Sequence, residues 1–184
     1  MGHDAQGRGV IASMQARTFW GPLSAFGLAV AVIACVADQA SKAWLLQVFD
    51  LAGRGVVKLV PFVDLVLTWN TGISYGWFQQ EGALGQGALM AFKVIAVALL
   101  WIWLARSFSR LSALSLGLII GGAIGNGIDH WTYGAVADFV LLYAQTATWR
   151  FNWYVFNLAD VAIVAGVIGL LYESLLGDRA PKAP

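Results

Sequence analysis

Long apolar runs separated by polar, aromatic segments form the dominant pattern along this chain of 184 residues. Four such runs lie near residues 19–36, 87–105, 111–128 and 158–176. Each is long enough to cross a hydrocarbon layer about 30 Å thick as a helix. Lys93, near the start of the second run, can extend its ammonium group to the membrane surface. The pattern predicts an all-α membrane bundle of four transmembrane helices.

The two long segments between these runs have a different pattern. Residues 56–69 are rich in β-branched and aromatic side chains but are interrupted by charged residues and proline, which predicts one or two short strands. Residues 131–156 are also aromatic and partly β. We therefore expect a small β-rich region outside the membrane. Trp69, Trp77 and Phe78 either form a loop or helix lid or anchor the chain at the membrane surface.

Composition supports a membrane protein and excludes several other classes. The chain is 59% hydrophobic and 11% charged, with a mean hydropathy of +0.72, whereas soluble domains contain about 25% charged residues. A net charge of +1 gives no indication of nucleic-acid binding. One cysteine and two histidines provide no intramolecular disulfide and no cysteine-based zinc site. No metal or other cofactor is expected.

Basic residues predict the orientation of the chain in the membrane. They are dense in the two tails and in the short link between the second and third runs, at Arg8, Arg17, Arg106, Arg110, Arg179 and Lys182. The other side carries fewer basic residues over much longer segments. The positive-inside rule therefore places both termini in the cytoplasm.

This orientation gives the predicted domain organisation. Residues 1–18 form a disordered cytoplasmic tail, residues 19–176 form one four-span domain, and residues 177–184 form a cytoplasmic C-terminal tail. The outward-facing loops then cover about 37–86 and 129–157.

Unusual polar residues gather on the outward side of this arrangement. The ends of the first and third runs and the start of the fourth all lie there, together with both outer loops. These places carry Asp38, Lys42, Asn70, Asn126, Asp129, His130, Asp138, Asn157 and Asp160. Carboxylates at the edge of hydrocarbon are costly and indicate a functional site. Asp138 and Asp160, if they meet, suggest acid–base chemistry on a shared water.

Simpler structural roles are the alternative for each of these residues. Asp38 and Lys42 are four residues apart, the spacing of an ion pair on one helix face. Asparagine and aspartate also satisfy free N–H groups at helix starts. Local capping or placement at the membrane surface is therefore the alternative role for Asn126, Asp129, His130, Asn157 and Asp160.

Five motifs resemble those of one family, the bacterial lipoprotein signal peptidases, or signal peptidase II. Asp38–Lys42 resembles its Asp-x-x-Ser/Thr-Lys motif, and Asn70–Gly76 resembles its Asn-x-Gly-Ala-Ala-Phe stretch. The glycine-rich Gly121–Asp129, the Gly-x-Val-x-Asp-Phe run at Gly134–Phe139 and the Phe-Asn-x-Ala-Asp run at Phe156–Asp160 follow in the family's order.

The resemblance implies an aspartyl endopeptidase of the bacterial cytoplasmic (inner) membrane. It would remove signal peptides from prolipoproteins just before a diacylglyceryl-modified cysteine. Asp138 and Asp160 correspond to the catalytic pair. Substrate-binding and supporting roles are implied for Asp38, Lys42, Asn70, Gly122, Asn126, Asp129, His130, Asn157 and Ala159. The expected partners are the prolipoprotein, membrane lipids and globomycin-type inhibitors, and we expect a monomer that binds no nucleic acid.

Two departures from the family pattern concern the substrate more than the chemistry. His130 stands where the family usually has arginine, so a permanent cation is replaced by one that titrates near neutrality. Residues Ile73, Ser74 and Tyr75 replace the usual Ala-Ala-Phe. The competing function is a small multi-span transporter or lipid-binding membrane protein, which predicts polar residues spread through the depth of the helices.

Overall fold

Three long apolar helices, a fourth apolar helix and a small antiparallel sheet make up the computed structural model, which describes residues 19–71 and 83–177. Helix α1 spans Ser24–Ala43 and continues through a π-helical segment, Trp44–Val48. A single helical turn, α2, follows at Leu51–Arg54.

The three remaining helices are α3 at Ala83–Ala105, α4 at Arg110–Tyr133 and α5 at Leu158–Gly177. Helix α4 begins where the Ser109 hydroxyl accepts hydrogen bonds from two backbone N–H groups of the first turn. It ends at Gly134, which adopts a left-handed φ of 75°, a conformation that glycine reaches without steric cost.

Helices α1 and α4 extend into the two segments that were predicted to face outward. Residues 37–48 are helical and continue α1, and residues 129–133 belong to α4. The bounds 37–86 and 129–157 followed the ends of the apolar runs, although the spacing of Asp38 and Lys42 already indicated a helical face at the end of the first run. Asp38, Lys42 and Asp129 are instead buried and paired with one another inside the helical bundle, so their charge does not end the helices.

Three helical segments of the described chain are long and apolar enough to cross a membrane: Ser24–Val48, Arg110–Tyr133 and Leu158–Leu175. Helix α3 contains a shorter apolar stretch, Met90–Ala105, at the position of the second predicted span, residues 87–105. Large apolar side chains lie on the outside of the bundle, for example Ile33, which is 68% exposed. Outward-facing apolar surface of this kind fits a lipid environment.

The sheet confirms the prediction of short strands in both outer segments. Strands β1 (Val57–Val60), β2 (Val63–Asn70), β3 (Val136–Gln145) and β4 (Arg150–Phe156) form one antiparallel sheet in that order. The pairing of β2 with β3 joins the two outer segments. It places Thr68 opposite Asp138 and thereby brings Asn70 close to the same carboxylate.

A buried apolar cluster fixes the sheet to the end of α1. Leu45 of the π-helical segment and Leu51 of α2 pack with Leu65 of β2 and Phe139 of β3. Because Phe139 follows Asp138 directly, this cluster also restrains the part of β3 that carries the carboxylate.

Helix α4 lies at the centre of the bundle and packs against α1, α3 and α5. Glycines make the close approaches possible. A β-carbon on Gly121 would lie 2.4 Å from the Ala31 carbonyl oxygen of α1, and one on Gly122 would lie 2.5 Å from the Ala159 carbonyl oxygen of α5. Both distances are too short for any side chain, which accounts for glycine at both positions of this helix contact.

Parts of the predicted architecture lie outside the described residues. They are the two tails at 1–18 and 178–184 and the loop 72–82, which contains Trp77, Phe78 and most of the Asn70–Gly76 motif.

Candidate active site

Lys42 links the last turns of α1 and α4. Its Nζ lies 2.8 Å from Asp38 Oδ2 and 2.7 Å from Asp129 Oδ2, and it donates to Asn126 Oδ1 at 2.9 Å. Lys42, Asp38 and Asp129 are 3%, 0% and 1% exposed. Buried charges are stable only when oppositely charged and hydrogen-bonding groups lie this close to them. Because Asn126 accepts through Oδ1, its Nδ2 is turned towards α5.

Asp38 and Asp129 each also bind a backbone N–H of the element that carries a predicted catalytic aspartate. Asp38 Oδ1 accepts from the Ala159 N–H at 3.0 Å, next to Asp160. Asp129 Oδ2 accepts from the Ala137 N–H at 3.2 Å, next to Asp138. The buried ion pairs therefore hold the backbone on which both aspartates stand.

Asn157 and Asp160 form a reciprocal cap at the start of α5. The Asn157 N–H donates to Asp160 Oδ2 at 3.0 Å, and the Asp160 N–H donates to Asn157 Oδ1 at 3.0 Å. This is the geometry of a capping box, with Asp160 in place of the usual glutamate. The capping role considered for both residues is thus present. It occupies one Asp160 oxygen, while Oδ1 accepts from Asn126 Nδ2 at 2.9 Å.

Asp138 lies in β3, is 2% exposed, and is held by two amide groups. Its Oδ1 accepts from Asn157 Nδ2 at 2.6 Å and its Oδ2 accepts from Asn70 Nδ2 at 3.1 Å. Burial raises the pKa of Asp138 from 3.8 to about 6; the Asn70 hydrogen bond opposes this and the charge of Asp160 adds to it. A carboxyl group with such a pKa can carry a proton close to neutral pH.

Asn157 connects the two aspartates directly. Its side-chain Nδ2 binds Asp138 and its backbone N–H binds Asp160. The same Nδ2 also donates to Asn126 Oδ1 at 3.0 Å. Two carboxyl groups from different elements are therefore held around one fully buried amide, an arrangement suited to a pair that shares a proton.

The other predicted site residues take different places. Gly122 and Ala159 contribute close backbone packing and an N–H group. His130 is not part of the network: within the described part of the chain its buried Nε2 has no hydrogen-bond partner. Among the same residues, no group of His, Cys, Asp or Glu is arranged to hold a metal ion.

Two features were missed from the sequence. Gln39 donates through Nε2 to Asp129 Oδ1 at 2.8 Å and to the Gly125 carbonyl at 3.0 Å. It occupies an unspecified position of the Asp-x-x-Ser/Thr-Lys motif, so its place between Asp38 and Lys42 was the one available signal. Asp64 is fully buried in β2 and pairs with Arg150 of β4 at 3.2 Å. These partners are 86 positions apart, and no local pattern connects them.

Fold and site together define a helical membrane protein whose buried polar centre lies where the helix ends meet a small antiparallel sheet. The family profile described as Signal peptidase (SPase) II matches residues 30–176. The chain therefore belongs to the signal peptidase II family, which confirms the resemblance read from the five motifs and makes it a membrane peptidase.

Similar curated proteins agree with this assignment. A lipoprotein signal peptidase of Nitrobacter hamburgensis is 62% identical over 158 residues, covering 86% of this chain and 96% of the relative. One from Rhodopseudomonas palustris is 58% identical with the same coverage. A bacterial membrane enzyme solved at 1.9 Å has a TM-score of 0.67 at 20% identity, covering 86% of this chain and 97% of that one. The last similarity supports the fold.

Proposed function

We propose that this protein is an aspartyl endopeptidase that removes signal peptides from prolipoproteins just before the diacylglyceryl-modified cysteine. One observation carries the aspartyl mechanism: Asn157 binds Asp138 and Asp160 at once, so two carboxyl groups share one buried centre. The substrate class follows from the names of the closely similar relatives.

We propose that the two aspartates differ in protonation state because different elements carry them. Asp160 lies in the first turn of α5, where the unsatisfied N–H groups and the helix dipole favour a negative charge. Asp138 lies in a strand without that support, and its raised pKa of about 6 favours a bound proton. Asp160 is therefore the base and Asp138 the acid.

Hydrolysis then proceeds without a covalent intermediate. Ionised Asp160 accepts a proton from a water molecule as the water oxygen bonds to the scissile carbonyl carbon. Protonated Asp138 donates a hydrogen bond to the carbonyl oxygen and stabilises its developing charge. When the carbon–nitrogen bond breaks, a proton passes to the leaving amine, and the pair returns to its singly protonated state.

The proposed site lies near the outer membrane boundary, in a four-span chain whose termini are both cytoplasmic. The acyl chains of the substrate can then stay in lipid while its cysteine reaches the aspartates. Trp69, 43% exposed and 5.3 Å from the Tyr133 ring centroid, belongs to the aromatic surface beside this site.

The test is cleavage of a diacylglyceryl-modified prolipoprotein in liposomes by the native protein and by Asp138→Asn and Asp160→Asn. Each change keeps the shape of the side chain but removes the ionisable group, so both variants should be inactive. Asp50→Asn is the matched control, because Asp50 is an exposed cap at the start of α2 and asparagine caps equally well. Full activity in either site variant would refute the pair and make Asp129 the next candidate.

A further inference from the structure

Gln39 is half-buried on α1 between the two charged residues of the first motif, yet neither the proposed chemistry nor the family resemblance assigns it a role. Its Nε2 is within hydrogen-bond distance of Asp129 Oδ1 (2.8 Å), the Gly125 carbonyl (3.0 Å) and Asp38 Oδ2 (3.3 Å). A single neutral donor thus contacts both carboxylates that pair with the buried Lys42. This placement indicates a function in the site.

We propose that Gln39 is a positioning residue that fixes the Asp129 carboxylate and, through it, Asp138. The inference rests on the proposed function, since it concerns the same pair of aspartates. It adds a residue that acts on the pair without touching the substrate.

The two oxygens of Asp129 bind different partners. Oδ2 binds the Lys42 ammonium and the Ala137 N–H, at 2.7 Å and 3.2 Å. Oδ1 binds Gln39 from the other side. A carboxylate held at both oxygens has a fixed plane, whereas one held at Oδ2 alone can rotate about that oxygen, because an ammonium group imposes no orientation and the Ala137 N–H contacts the same atom.

The orientation of Asp129 matters because Ala137 immediately precedes Asp138 in β3. If the carboxylate turned, the Ala137 N–H would lose its acceptor and the start of β3 would no longer be tied to α4. Small displacements of a catalytic group are costly, since a shift of about 1 Å can reduce a rate about a hundredfold.

A neutral donor is required at position 39. The charged groups facing it are Asp38 and Lys42 on α1 and Asp129 on α4. Lys93 on α3 and His130 on α4 interact with Asp129 electrostatically as well. A second cation at position 39 would favour ionisation of the nearby proton-sharing pair, and an anion would repel Asp38 and Asp129. An amide supplies the hydrogen bond and leaves the charge balance unchanged.

The decisive variant is Gln39→Glu, which keeps the length and shape of the side chain. At low pH the protonated carboxyl group introduced by this change donates its O–H to Asp129 and replaces the amide. At higher pH the same group ionises, lies against two carboxylates and repels them. We expect prolipoprotein cleavage near the native rate at pH 5 and a progressive fall relative to native as the pH rises, in kcat more than in KM.

Two further variants complete the experiment. Gln39→Leu cannot donate at any pH and should lose about ten- to a hundredfold in kcat at every pH. Gln47→Glu makes the same chemical change at an exposed position of the π-helical segment and should follow the native pH profile. A Gln39→Glu profile parallel to those of native protein and Gln47→Glu would overturn the inference.

The unfolding temperature of the same proteins separates this inference from the proposed function. If the native protein fails to cleave prolipoprotein, the proposed function is wrong. The unfolding temperature of Gln39→Glu should still fall with rising pH more steeply than that of Gln47→Glu, because the repulsion exists without substrate. Equal slopes would refute the inference about Gln39 independently of any activity.

Discussion

Replacing Gly122 by alanine tests how closely α4 and α5 must pack for the site to form. A β-carbon at this position would lie 2.5 Å from the Ala159 carbonyl oxygen and 2.8 Å from Ile163 Cγ1. The carbonyl is backbone and cannot turn aside as a flexible side chain would. Gly127 lies on the same helix, and a β-carbon there would have no heavy atom outside its immediate chain neighbourhood within 4 Å. It provides the matched control.

The expected loss of stability in Gly122→Ala follows from these distances. Relief of the contact requires the helices to separate locally by about 0.9 Å, to reach the 3.4 Å at which ordinary contacts begin. Overpacking of a tight contact costs about 1–3 kcal/mol. Alanine also favours the helix over glycine by up to about 1 kcal/mol at either position. The propensity gain is common to both variants, so Gly122→Ala should be about 1–3 kcal/mol less stable than Gly127→Ala.

In Gly122→Ala, the loss of cleavage activity should be larger than the loss of stability alone would cause. The displaced carbonyl belongs to Ala159, whose N–H binds Asp38 and which directly precedes Asp160. A displacement approaching 1 Å at a catalytic group can reduce the rate about a hundredfold. Unfolding in detergent and prolipoprotein cleavage in liposomes would measure the two effects on the same preparations. Equal stability and equal cleavage for the Gly122 and Gly127 variants would refute the packing argument.

Three further predictions concern charged groups. The pKa of Asp138 is raised from 3.8 to about 6, so the folded chain binds this proton more tightly than the unfolded chain does. The bound proton contributes up to about 3 kcal/mol to the free energy of unfolding. This contribution is present below pH 3.8 and is lost as pH rises through about 6. Asp138→Asn should flatten this part of the unfolding profile, and an unchanged slope would contradict the assignment. Arg150→Gln should destabilise the fold by about 2 kcal/mol. This is less than the usual loss of about 3–5 kcal/mol for a broken buried pair, because the Arg150 side chain is 40% exposed. Adding Asp64→Asn should restore part of the lost stability, and simple additivity of the two changes in the double variant would argue against the pair. If the His130 imidazolium supplies a cation to the substrate, native cleavage should fall as rising pH removes its proton, and His130→Arg should remove that fall; superimposable pH profiles would rule this role out.

The sequence predicted the parts of the site that depend on local spacing. Asp38 and Lys42 form the ion pair expected from their separation of four residues, at 2.8 Å. Asn157 and Asp160 cap α5, as their position before an apolar run suggested. The strands of both outer segments were predicted as well, because β-branched runs interrupted by polar residues are typical of short strands.

The remaining features depend on long-range contacts. The extension of α1 and α4 beyond the apolar runs depends on the burial and pairing of Asp38, Lys42 and Asp129, and a sequence does not distinguish buried, paired charges from exposed ones. Asp64 and Arg150 meet only through the order of the sheet, in which Arg150 extends from β4 across Tyr143 of β3, with its Cζ 4.2 Å from that ring centroid. Gln39 was overlooked because an amide in a helix is ordinary until its acceptors are known.

Capping and catalysis were treated as alternatives for Asp160, and the geometry makes them compatible. The cap uses Oδ2, which accepts from the Asn157 N–H, so it fixes the side-chain rotamer and directs Oδ1 towards Asn126. The same helix start provides the positive potential that favours an ionised carboxylate. Asp138 accepts its hydrogen bond from the Asn157 side chain instead of the backbone. It lies in a strand, with no helix start beside it, and retains its proton more readily. In our proposal, the difference between base and acid therefore arises from the secondary structure that carries each aspartate, and one asparagine holds the two together.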